Sequence, residues 1–160
     1  MAKKSSILLI EDNPDDAMLF QRALKKQHLE YPLQVVQQGA KAVSYVSGEG
    51  VYSDREKYPL PKLIVLDLSL PDMHGLNFLE WLRSKSSEPT LPVFILTGHV
   101  GPAETAEALR LGCNACATKP NQPFELENIV RTIHNDWMTN APHVGEAQSL
   151  QTLRHEAATR

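Results

Sequence analysis

Residues 62–68 read KLIVLDL, a run of apolar side chains that ends next to a carboxylate, Asp67. An uninterrupted apolar run of this kind, bounded by polar turn residues, is typical of a β-strand that is covered on both faces. Similar runs occur in SSILLI (5–10) and PVFILTG (92–98). The sequence therefore predicts a parallel sheet with helices on both sides.

Two further strands and five helical patterns alternate with these runs. The strands are predicted in LQVVQ (33–37) and ACATKP (115–120). Asn13 before Pro14 favours a capped start of the first helix, and the apolar spacing in FELENIVRTIHNDW (124–137) predicts the last helix. Five βα units predict a flavodoxin-like, doubly wound α/β fold with strand order 2-1-3-4-5. Its functional site is expected at the carboxyl ends of the central strands.

Length and charge argue against several classes of protein. The chain has 160 residues and a formal net charge of -3, which gives no general attraction to nucleic acid or to an anionic membrane. No apolar run approaches the ~20 residues that span a bilayer, and the N-terminus lacks a signal-peptide pattern. We expect one cytoplasmic domain over residues 5–138. A tail over 139–160 is compatible with a weakly amphipathic helix and is too short to be an output domain.

The two cysteines form the motif CNAC, Cys113 and Cys116. A zinc site needs about two more thiol or imidazole ligands at suitable spacing, and the sequence has no second pair of that kind. A redox-active pair normally opens a helix, whereas this pair follows the helix end EALRLG (107–112) and leads into a strand. We therefore interpret both cysteines as small, half-buried structural residues.

Polar side chains gather where the predicted strands end, and they are Glu11, Asp12, Asp67, Thr97 and Lys119. Three carboxylates in one cleft repel one another unless a cation is present, and oxygen ligands favour Mg²⁺. The formal charges of the carboxylates, the lysine and Mg²⁺ sum to zero, which suits a phosphoryl group. Asp67 is then the candidate nucleophile that becomes an acyl phosphate.

Together these motifs resemble the receiver domain of two-component response regulators over roughly residues 5–138. The resemblance rests on the pair Glu11-Asp12, on Asp67 in LIVLDLSLPDMHG, on Thr97-Gly98 in FILTG and on Lys119-Pro120 in ATKP. It implies that Asp67 accepts a phosphoryl group from a sensor histidine kinase. It also implies a Mg²⁺ site formed by Glu11, Asp12, Asp67 and the backbone carbonyl of Ser69. Thr97 and Lys119 are then expected to contact the phosphoryl group.

Four positions are expected to tune the reaction: Ser69, Gly98, His99 and Cys116. In the family, side chains at the positions of Ser69 and His99 admit or exclude hydrolytic water, and a small residue such as Gly98 leaves access for the phosphodonor. An exposed loop residue without a kinetic role is the simpler alternative for His99. Cys116 occupies the position where receivers commonly have Tyr or Phe. In the family, the inward movement of that aromatic side chain is coupled to the threonine, and the resemblance does not imply this movement for the present chain.

Asp15 and Asp16 receive a different interpretation from the acidic pair. Both fall in the first turn of the helix that begins at Pro14. Carboxylates in a first turn interact favourably with the helix dipole. We therefore interpret Asp15 and Asp16 as structural residues that lie apart from the metal site.

The long polar loop SGEGVYSDREKYPLP (47–61) resembles that of stand-alone regulators associated with bacterial and cyanobacterial phytochromes. This resemblance implies a histidine kinase with a light-sensing input as partner, and a homodimer through the fourth-helix to fifth-helix face. The expected function is a single-domain response regulator that signals by protein contact and catalyses only its own phosphorylation and dephosphorylation.

Two other functions use the same chemistry. A phosphorelay intermediate or phosphate sink would accept the same phosphoryl group and pass it on or hold it, and the residues do not separate these roles. A phosphatase of the haloacid dehalogenase type also uses an Asp nucleophile, Mg²⁺ and a Lys. That enzyme class needs a second Asp two residues after the nucleophile, where this chain has Ser69, so it is disfavoured.

Overall fold

Five parallel strands form the centre of the protein in a computed structural model, which describes residues 5–139. The strands are β1 (Ile7–Ile10), β2 (Leu33–Val36), β3 (Leu63–Leu66), β4 (Val93–Thr97) and β5 (Ala115–Thr118). They form one sheet in the order β2-β1-β3-β4-β5, and every pairing is parallel. The predicted strand order 2-1-3-4-5 is therefore confirmed.

Five α-helices connect or follow the strands: α1 (Pro14–Lys26), α2 (Gly39–Ser47), α3 (Gly75–Ser84), α4 (Pro102–Arg110) and α5 (Pro123–Ile133). A 3-10 turn (Gly50–Ser53) precedes β3, and α5 continues into a π-helical turn (His134–Met138). Within residues 5–139, the helices are all too short or too polar to cross a bilayer. Apart from Thr139, the predicted tail lies outside the described residues.

The sheet is covered on both faces, as its continuous apolar runs predict. Alternate residues of each strand point to opposite faces. Leu8 and Ile64 belong to a core cluster with residues of α2, α3 and α4, whereas Ile7 and Val65 belong to a second cluster with residues of α1 and α5. Because both faces are filled, the polar residues that follow the strands are left at one edge of the sheet.

Local signals explain the direction in which the chain leaves β1. Asn13 has extended backbone angles, and its side-chain oxygen accepts hydrogen bonds from the backbone N–H groups of Asp15 at 2.9 Å and Asp16 at 3.4 Å. Pro14 occupies the first helical position. Proline has no backbone N–H, and a residue at this position would not use one in an intrahelical hydrogen bond. The turn thus begins α1 immediately after Glu11 and Asp12, as the sequence predicts.

The CNAC cysteines are structural residues, as interpreted, but both are fully buried and not half-buried. Cys113 is 3% exposed and Cys116 is 2% exposed, and neither forms a disulfide. Burial raises the pKa of the Cys113 thiol to about 12, which opposes formation of the thiolate that redox or zinc chemistry requires. The pair contributes to the core between α4 and β5.

Candidate functional site

The predicted site residues come together at the carboxyl edge of the sheet. Glu11 directly follows β1, Asp67 directly follows β3, Thr97 ends β4 and Lys119 follows β5. Glu11, Asp67 and Thr97 are among the few buried polar residues of the described chain, with exposures of 3%, 4% and 1%. Buried polar groups must be paired, so their partners define the chemistry of the site.

Lys119 is the centre of an ion-pair network. Its Nζ donates to Glu11 Oε1 at 2.5 Å, to Asp16 Oδ2 at 2.8 Å and to Asp67 Oδ2 at 2.9 Å. These carboxylates raise the pKa of Lys119, although its partial burial acts in the opposite direction. The lysine is therefore a permanent cation that links β1, α1 and β3 to β5.

Asp67 is held by three donors. Thr97 Oγ1 donates to Asp67 Oδ1 at 2.9 Å, and the backbone N–H of Ser69 donates to the same oxygen at 3.1 Å. Lys119 contacts the other oxygen. Burial by itself raises the pKa of Asp67, but its interactions with Glu11, Lys119 and the Ser69 N–H together lower it. Asp67 is consequently an ionised carboxylate with a fixed orientation.

Glu11 is in the opposite electrostatic situation. Burial and the neighbouring Asp67 carboxylate raise the pKa of Glu11 to about 9, against the lowering effect of Lys119. Its second oxygen, Oε2, is buried and has no hydrogen-bond partner among the described residues. A buried carboxylate oxygen without a partner fits a cation, which would satisfy it and favour the ionised form of Glu11.

The acidic residues fit a hard divalent metal ion. Glu11, Asp12 and Asp67 each offer one carboxylate oxygen, and the three oxygens lie within 4.8 Å of one another. All the donors are oxygens, which Mg²⁺ prefers, and Asp12 is exposed, which leaves room for the water ligands that Mg²⁺ retains. Ser69 lies beside Asp67 through its N–H contact, and the role of its carbonyl as a further ligand stays a prediction.

One residue of the site was missed by the sequence interpretation. Asp16, assigned only to the helix dipole, also accepts a hydrogen bond from Lys119. Burial acts to raise the pKa of Asp16, but the contact with Lys119 outweighs it and lowers the pKa. Asp15 has no such contact with Lys119 and remains exposed. No local sequence pattern distinguishes Asp16 from Asp15, because the contact depends on the position of Lys119 at the end of β5.

The four expected tuning positions differ in their surroundings. Ser69, Gly98 and His99 are exposed, whereas Cys116 is buried within β5. A Cβ atom added at Gly98 would meet no atom within 4 Å, so this residue leaves the approach to Thr97 open. The influence of these four positions on phosphorylation stays a prediction.

Gly75 is a structural contributor whose role depends on a close approach. A Cβ atom added there would lie 2.6 Å from the backbone oxygen of Asp67 and 2.7 Å from Leu68 Cα. The N–H of Gly75 also donates to the carbonyl of Leu68 at 2.8 Å. Only glycine lets the start of α3 lie this close to the backbone of Asp67.

Comparisons with known proteins agree with this geometry. A family model described as "Response regulator receiver domain" matches residues 7–131. Response regulator Rcp1 of Synechocystis is 30% identical over 132 residues, which cover 82% of this chain and 88% of Rcp1. A crystal structure of the Mn²⁺-bound form of Rcp1 matches with a TM-score of 0.74 and 28% identity, over 86% of this chain and 96% of that one.

Two further solved structures are similar. The phosphorylated cyanobacterial phytochrome response regulator RcpA matches with a TM-score of 0.78 and 29% identity, over 87% of this chain and 97% of that one. The bacteriophytochrome response regulator RtBRR matches with a TM-score of 0.72 and 30% identity, over 98% and 93% of the two chains. With the fold and the acidic edge already established, the chain belongs to the response regulator receiver domain family, the phosphoryl-accepting module of two-component signalling.

Proposed function

We propose that Asp67 accepts a phosphoryl group from the phosphohistidine of a sensor kinase in a Mg²⁺-dependent reaction. The observation that carries this proposal is the pairing of an ionised, 4% exposed Asp67 with Thr97 and Lys119, within a cluster of three carboxylates to which Asp67 itself belongs. A nucleophile needs this fixed orientation, and a phosphoryl group needs the surrounding donors. We also propose that this reaction takes place in the cytoplasm.

The transfer exchanges one bond to phosphorus for another. An oxygen of the Asp67 carboxylate forms a bond to phosphorus while the N–P bond of phosphohistidine breaks. The electron pair of that bond returns to the imidazole nitrogen. The Thr97 hydroxyl and the Lys119 ammonium, which contact Asp67 before the reaction, donate hydrogen bonds to the phosphoryl oxygens after it.

The metal site completes this arrangement. We propose that Glu11, Asp12, Asp67 and the Ser69 carbonyl hold Mg²⁺, and the orphaned Oε2 of Glu11 supports this assignment. A bound Mg²⁺ neutralises charge that develops on the phosphoryl oxygens. The Mn²⁺-bound form of the similar protein Rcp1 is consistent with a divalent cation at an acidic edge.

Mass spectrometry of the intact protein tests the acceptor. After incubation with Mg²⁺ and a small phosphodonor such as phosphoramidate, we expect a mass gain of one phosphoryl group in the wild type and none in Asp67→Asn. Asp15→Asn is the matched control, because it removes an exposed carboxylate outside the site. Labelling that survives in Asp67→Asn would overturn the assignment, and turnover of a generic phosphomonoester would favour a phosphatase instead.

We propose that the phosphodonor is a histidine kinase of the phytochrome type. Support comes from the similar proteins RcpA and RtBRR, which are described as phytochrome and bacteriophytochrome response regulators. A purified, phosphorylated phytochrome kinase should transfer its label to the wild type within seconds to minutes and leave Asp67→Asn unlabelled. Faster transfer from an unrelated sensor kinase at equal concentration would contradict this partner.

We further propose that the receiver spans residues 5–138 and signals as a homodimer by protein contact. The α4 to α5 face offers apolar surface for this dimer, since Leu109 of α4 and Phe124 of α5 are 42% and 51% exposed. Light scattering should give a dimer mass for the wild type and a lower mass for Phe124→Glu. If the wild type is monomeric both with and without a phosphoryl mimic, the dimer proposal is wrong.

A further inference from the structure

The loop between β3 and α3 is closed at its base. The N–H of Gly75 donates to the carbonyl of Leu68 at 2.8 Å, and Ser69 forms an antiparallel β-bridge with His74. Residues 70–73 form the outer end of this loop. Because the bridge joins the two sides of the loop, a displacement of the outer end also displaces Ser69. The carbonyl of Ser69, a proposed ligand of Mg²⁺, is therefore mechanically connected to that outer end.

The outer end of the loop is fixed to the first turn of α2. The N–H groups of Gly39 and Ala40 donate to the two carboxylate oxygens of Asp72, at 2.8 Å each. Met73 lies over Gly39, where an added Cβ atom would be 2.5 Å from Met73 Cγ. Gln38, which precedes the helix, makes no side-chain cap. The start of α2 therefore depends on a loop that also carries a proposed metal ligand.

We propose that Asp72 and Met73 couple the metal site to α2. An ordered first turn of α2 holds the loop, and hence the Ser69 carbonyl, in the position that binds Mg²⁺. Bound Mg²⁺ in turn stabilises that first turn. This inference rests on the metal site of the proposed function. It makes Asp72 a positioning residue that acts through the loop, because Asp72 does not belong to the cluster of carboxylates that can hold a metal ion.

Thermodynamic linkage sets the sign and the size of both effects. If the cap raises the affinity for Mg²⁺ by some factor, Mg²⁺ must stabilise the cap by the same factor. A side-chain cap stabilises the first turn of a helix about fivefold in terms of an equilibrium constant. Since a contact cannot transmit more free energy than it supplies, this factor is the upper limit of the coupling.

Asp72→Ala tests the coupling through the dissociation constant of Mg²⁺ alone, measured by isothermal titration calorimetry. We expect Mg²⁺ to bind about three- to fivefold more weakly than in the wild type, because the loop loses its attachment to α2. Asp72→Asn keeps one acceptor for the two N–H groups, so its dissociation constant should lie between those of the wild type and Asp72→Ala. Unfolding in urea checks that each variant is folded.

Arg55→Ala is the matched control for stability. The Arg55 guanidinium donates to the carbonyls of Tyr45 and Val46 at 2.8 Å each, so it caps the opposite end of α2. Its removal destabilises the same helix, but its hydrogen bonds lie outside the loop between β3 and α3. The dissociation constant of Mg²⁺ should therefore change by less than about twofold in this variant.

Two further variants separate coupling from loss of charge. Asp15→Asn also removes one exposed carboxylate, and screening should keep its effect on Mg²⁺ binding below about twofold. Gly39→Ala changes no charge, but the added methyl group pushes Met73 away from the first turn of α2. We expect Gly39→Ala to weaken Mg²⁺ binding about two- to fivefold.

Hydrogen exchange in the wild type tests the reverse direction. Mg²⁺ should slow exchange of the Gly39 and Ala40 amides about three- to fivefold, as reciprocity requires. The amides of Gly48 and Glu49 donate to carbonyls at the other end of α2, so their exchange should change much less. NMR measures all four amides in one sample.

The outcomes separate this inference from the function on which it rests. If Arg55→Ala weakens Mg²⁺ binding as much as Asp72→Ala, the effect is one of general stability and the inference is wrong. It is also wrong if Gly39→Ala binds Mg²⁺ like the wild type, or if Mg²⁺ slows all four amides equally. Equal Mg²⁺ binding by the wild type and Asp72→Ala would overturn the inference and leave the metal site intact. If the wild type binds no Mg²⁺, the proposed metal site fails first and the inference falls with it.

Discussion

Asp67 combines burial with ionisation, two properties that usually exclude each other. The carboxylate remains ionised because Thr97, Ser69 and Lys119 all donate to it, and three donors can outweigh the loss of hydration. The same donors fix its orientation. At the scale of a residue, the reactivity of Asp67 is therefore a property of its partners.

Replacement of Thr97 should expose this dependence. Thr97→Val has nearly the same shape but removes the hydroxyl that donates to Asp67 Oδ1. We expect the free energy of unfolding to fall by about 1–3 kcal/mol, since a buried carboxylate loses a hydrogen bond. Urea unfolding without divalent cations measures this loss. Thr97→Ser keeps the hydroxyl, so its free energy of unfolding should fall by less than that of Thr97→Val. Equal losses of unfolding free energy in both variants would contradict the role of the hydrogen bond.

The position of the Asp67 backbone depends on Gly75. Gly75→Ala would place a methyl group 2.6 Å from the Asp67 carbonyl, so either α3 or Asp67 must shift. We expect a loss of about 1–3 kcal/mol in unfolding free energy from this overlap, together with slower phosphorylation by a small phosphodonor.

Gly98→Ala is the control for Gly75→Ala, because the added methyl group meets open space. Its unfolding free energy should change by less than about 0.5 kcal/mol. A Gly75→Ala variant as stable as Gly98→Ala would show that α3 tolerates the overlap.

At the scale of an element, α2 is capped by a residue from another loop. Gln38 precedes the helix but makes no side-chain cap. Asp72, in the loop between β3 and α3, accepts hydrogen bonds from the N–H groups of Gly39 and Ala40 at 2.8 Å each. The cap joins the first turn of α2 to the loop that follows Asp67.

This cap predicts a pH-dependent contribution to stability. Burial acts to raise the pKa of Asp72, but the backbone hydrogen bonds from Ala40 and Gly39 together outweigh it and lower the pKa. A lowered pKa means that the contribution is complete above the unfolded-state pKa of about 3.9 and disappears as the pH falls through the folded-state value. Asp72→Ala should cost about 1 kcal/mol at pH 7.

Urea unfolding of the wild type and Asp72→Ala between pH 7 and pH 3 measures this effect. The difference between the two proteins should shrink below about pH 4, where Asp72 is protonated. Asp72→Asn keeps one oxygen acceptor, so its loss of unfolding free energy at pH 7 should be about half that of Asp72→Ala. A difference that stays constant with pH would exclude an ionised cap.

The long loop before β3 is ordered by Arg55. Its guanidinium donates to the carbonyls of Tyr45 and Val46 at 2.8 Å each, and so caps the C-terminus of α2. Tyr45 also contacts the rings of Tyr52 and Tyr58, with centroid distances of 4.9 and 6.0 Å. A loop that the sequence marks only as polar is therefore built around an aromatic cluster.

Arg55→Ala should loosen this loop. Two carbonyls at the end of α2 lose a charged donor, and we expect a loss of about 1–3 kcal/mol in unfolding free energy. Limited proteolysis should cut between residues 47 and 61 faster than in the wild type. Val51→Ala, in the same loop and 68% exposed, is the control. Equal cleavage rates in the two variants would contradict the assigned role of Arg55.

At the scale of the whole molecule, the site exists only because four strands end at one edge of the sheet. Glu11 and Lys119 are 108 positions apart in the sequence and 2.5 Å apart in the structure. Repulsion among the neighbouring carboxylates acts against folding, and a divalent cation held by them would relieve it. The proposed metal site would therefore link metal binding to global stability.

Addition of Mg²⁺ should stabilise the entire domain. A ligand that binds only the folded state at 100 times its Kd adds about 2.7 kcal/mol, and chelation should remove this gain. Thermal unfolding with MgCl₂ or with EDTA measures it. Asp12→Asn lacks one of the three clustered carboxylates, so MgCl₂ should raise its unfolding temperature much less than that of the wild type. An equal shift in both proteins would place the ion elsewhere.

Several features are fixed by the order of residues alone. The apolar runs predict buried strands, Asn13-Pro14 predicts the start of α1, and alternation of strands with helices predicts a doubly wound sheet. Since parallel strands all end at the same edge, the residues after each strand could be identified as a group. That logic found Glu11, Asp67 and Lys119 without any knowledge of their distances.

Other features arise only when distant segments meet. The contact of Asp16 with Lys119, the Asp72 cap on α2 and the Arg55 contacts each join residues whose local patterns indicate another role or none. Hydrophobic periodicity reports which face of an element is buried, but not which polar side chain reaches it from another element. The sequence by itself determined the sheet and the acidic edge, whereas only the tertiary structure decided how many carboxylates share Lys119, because that number depends on distances across the fold.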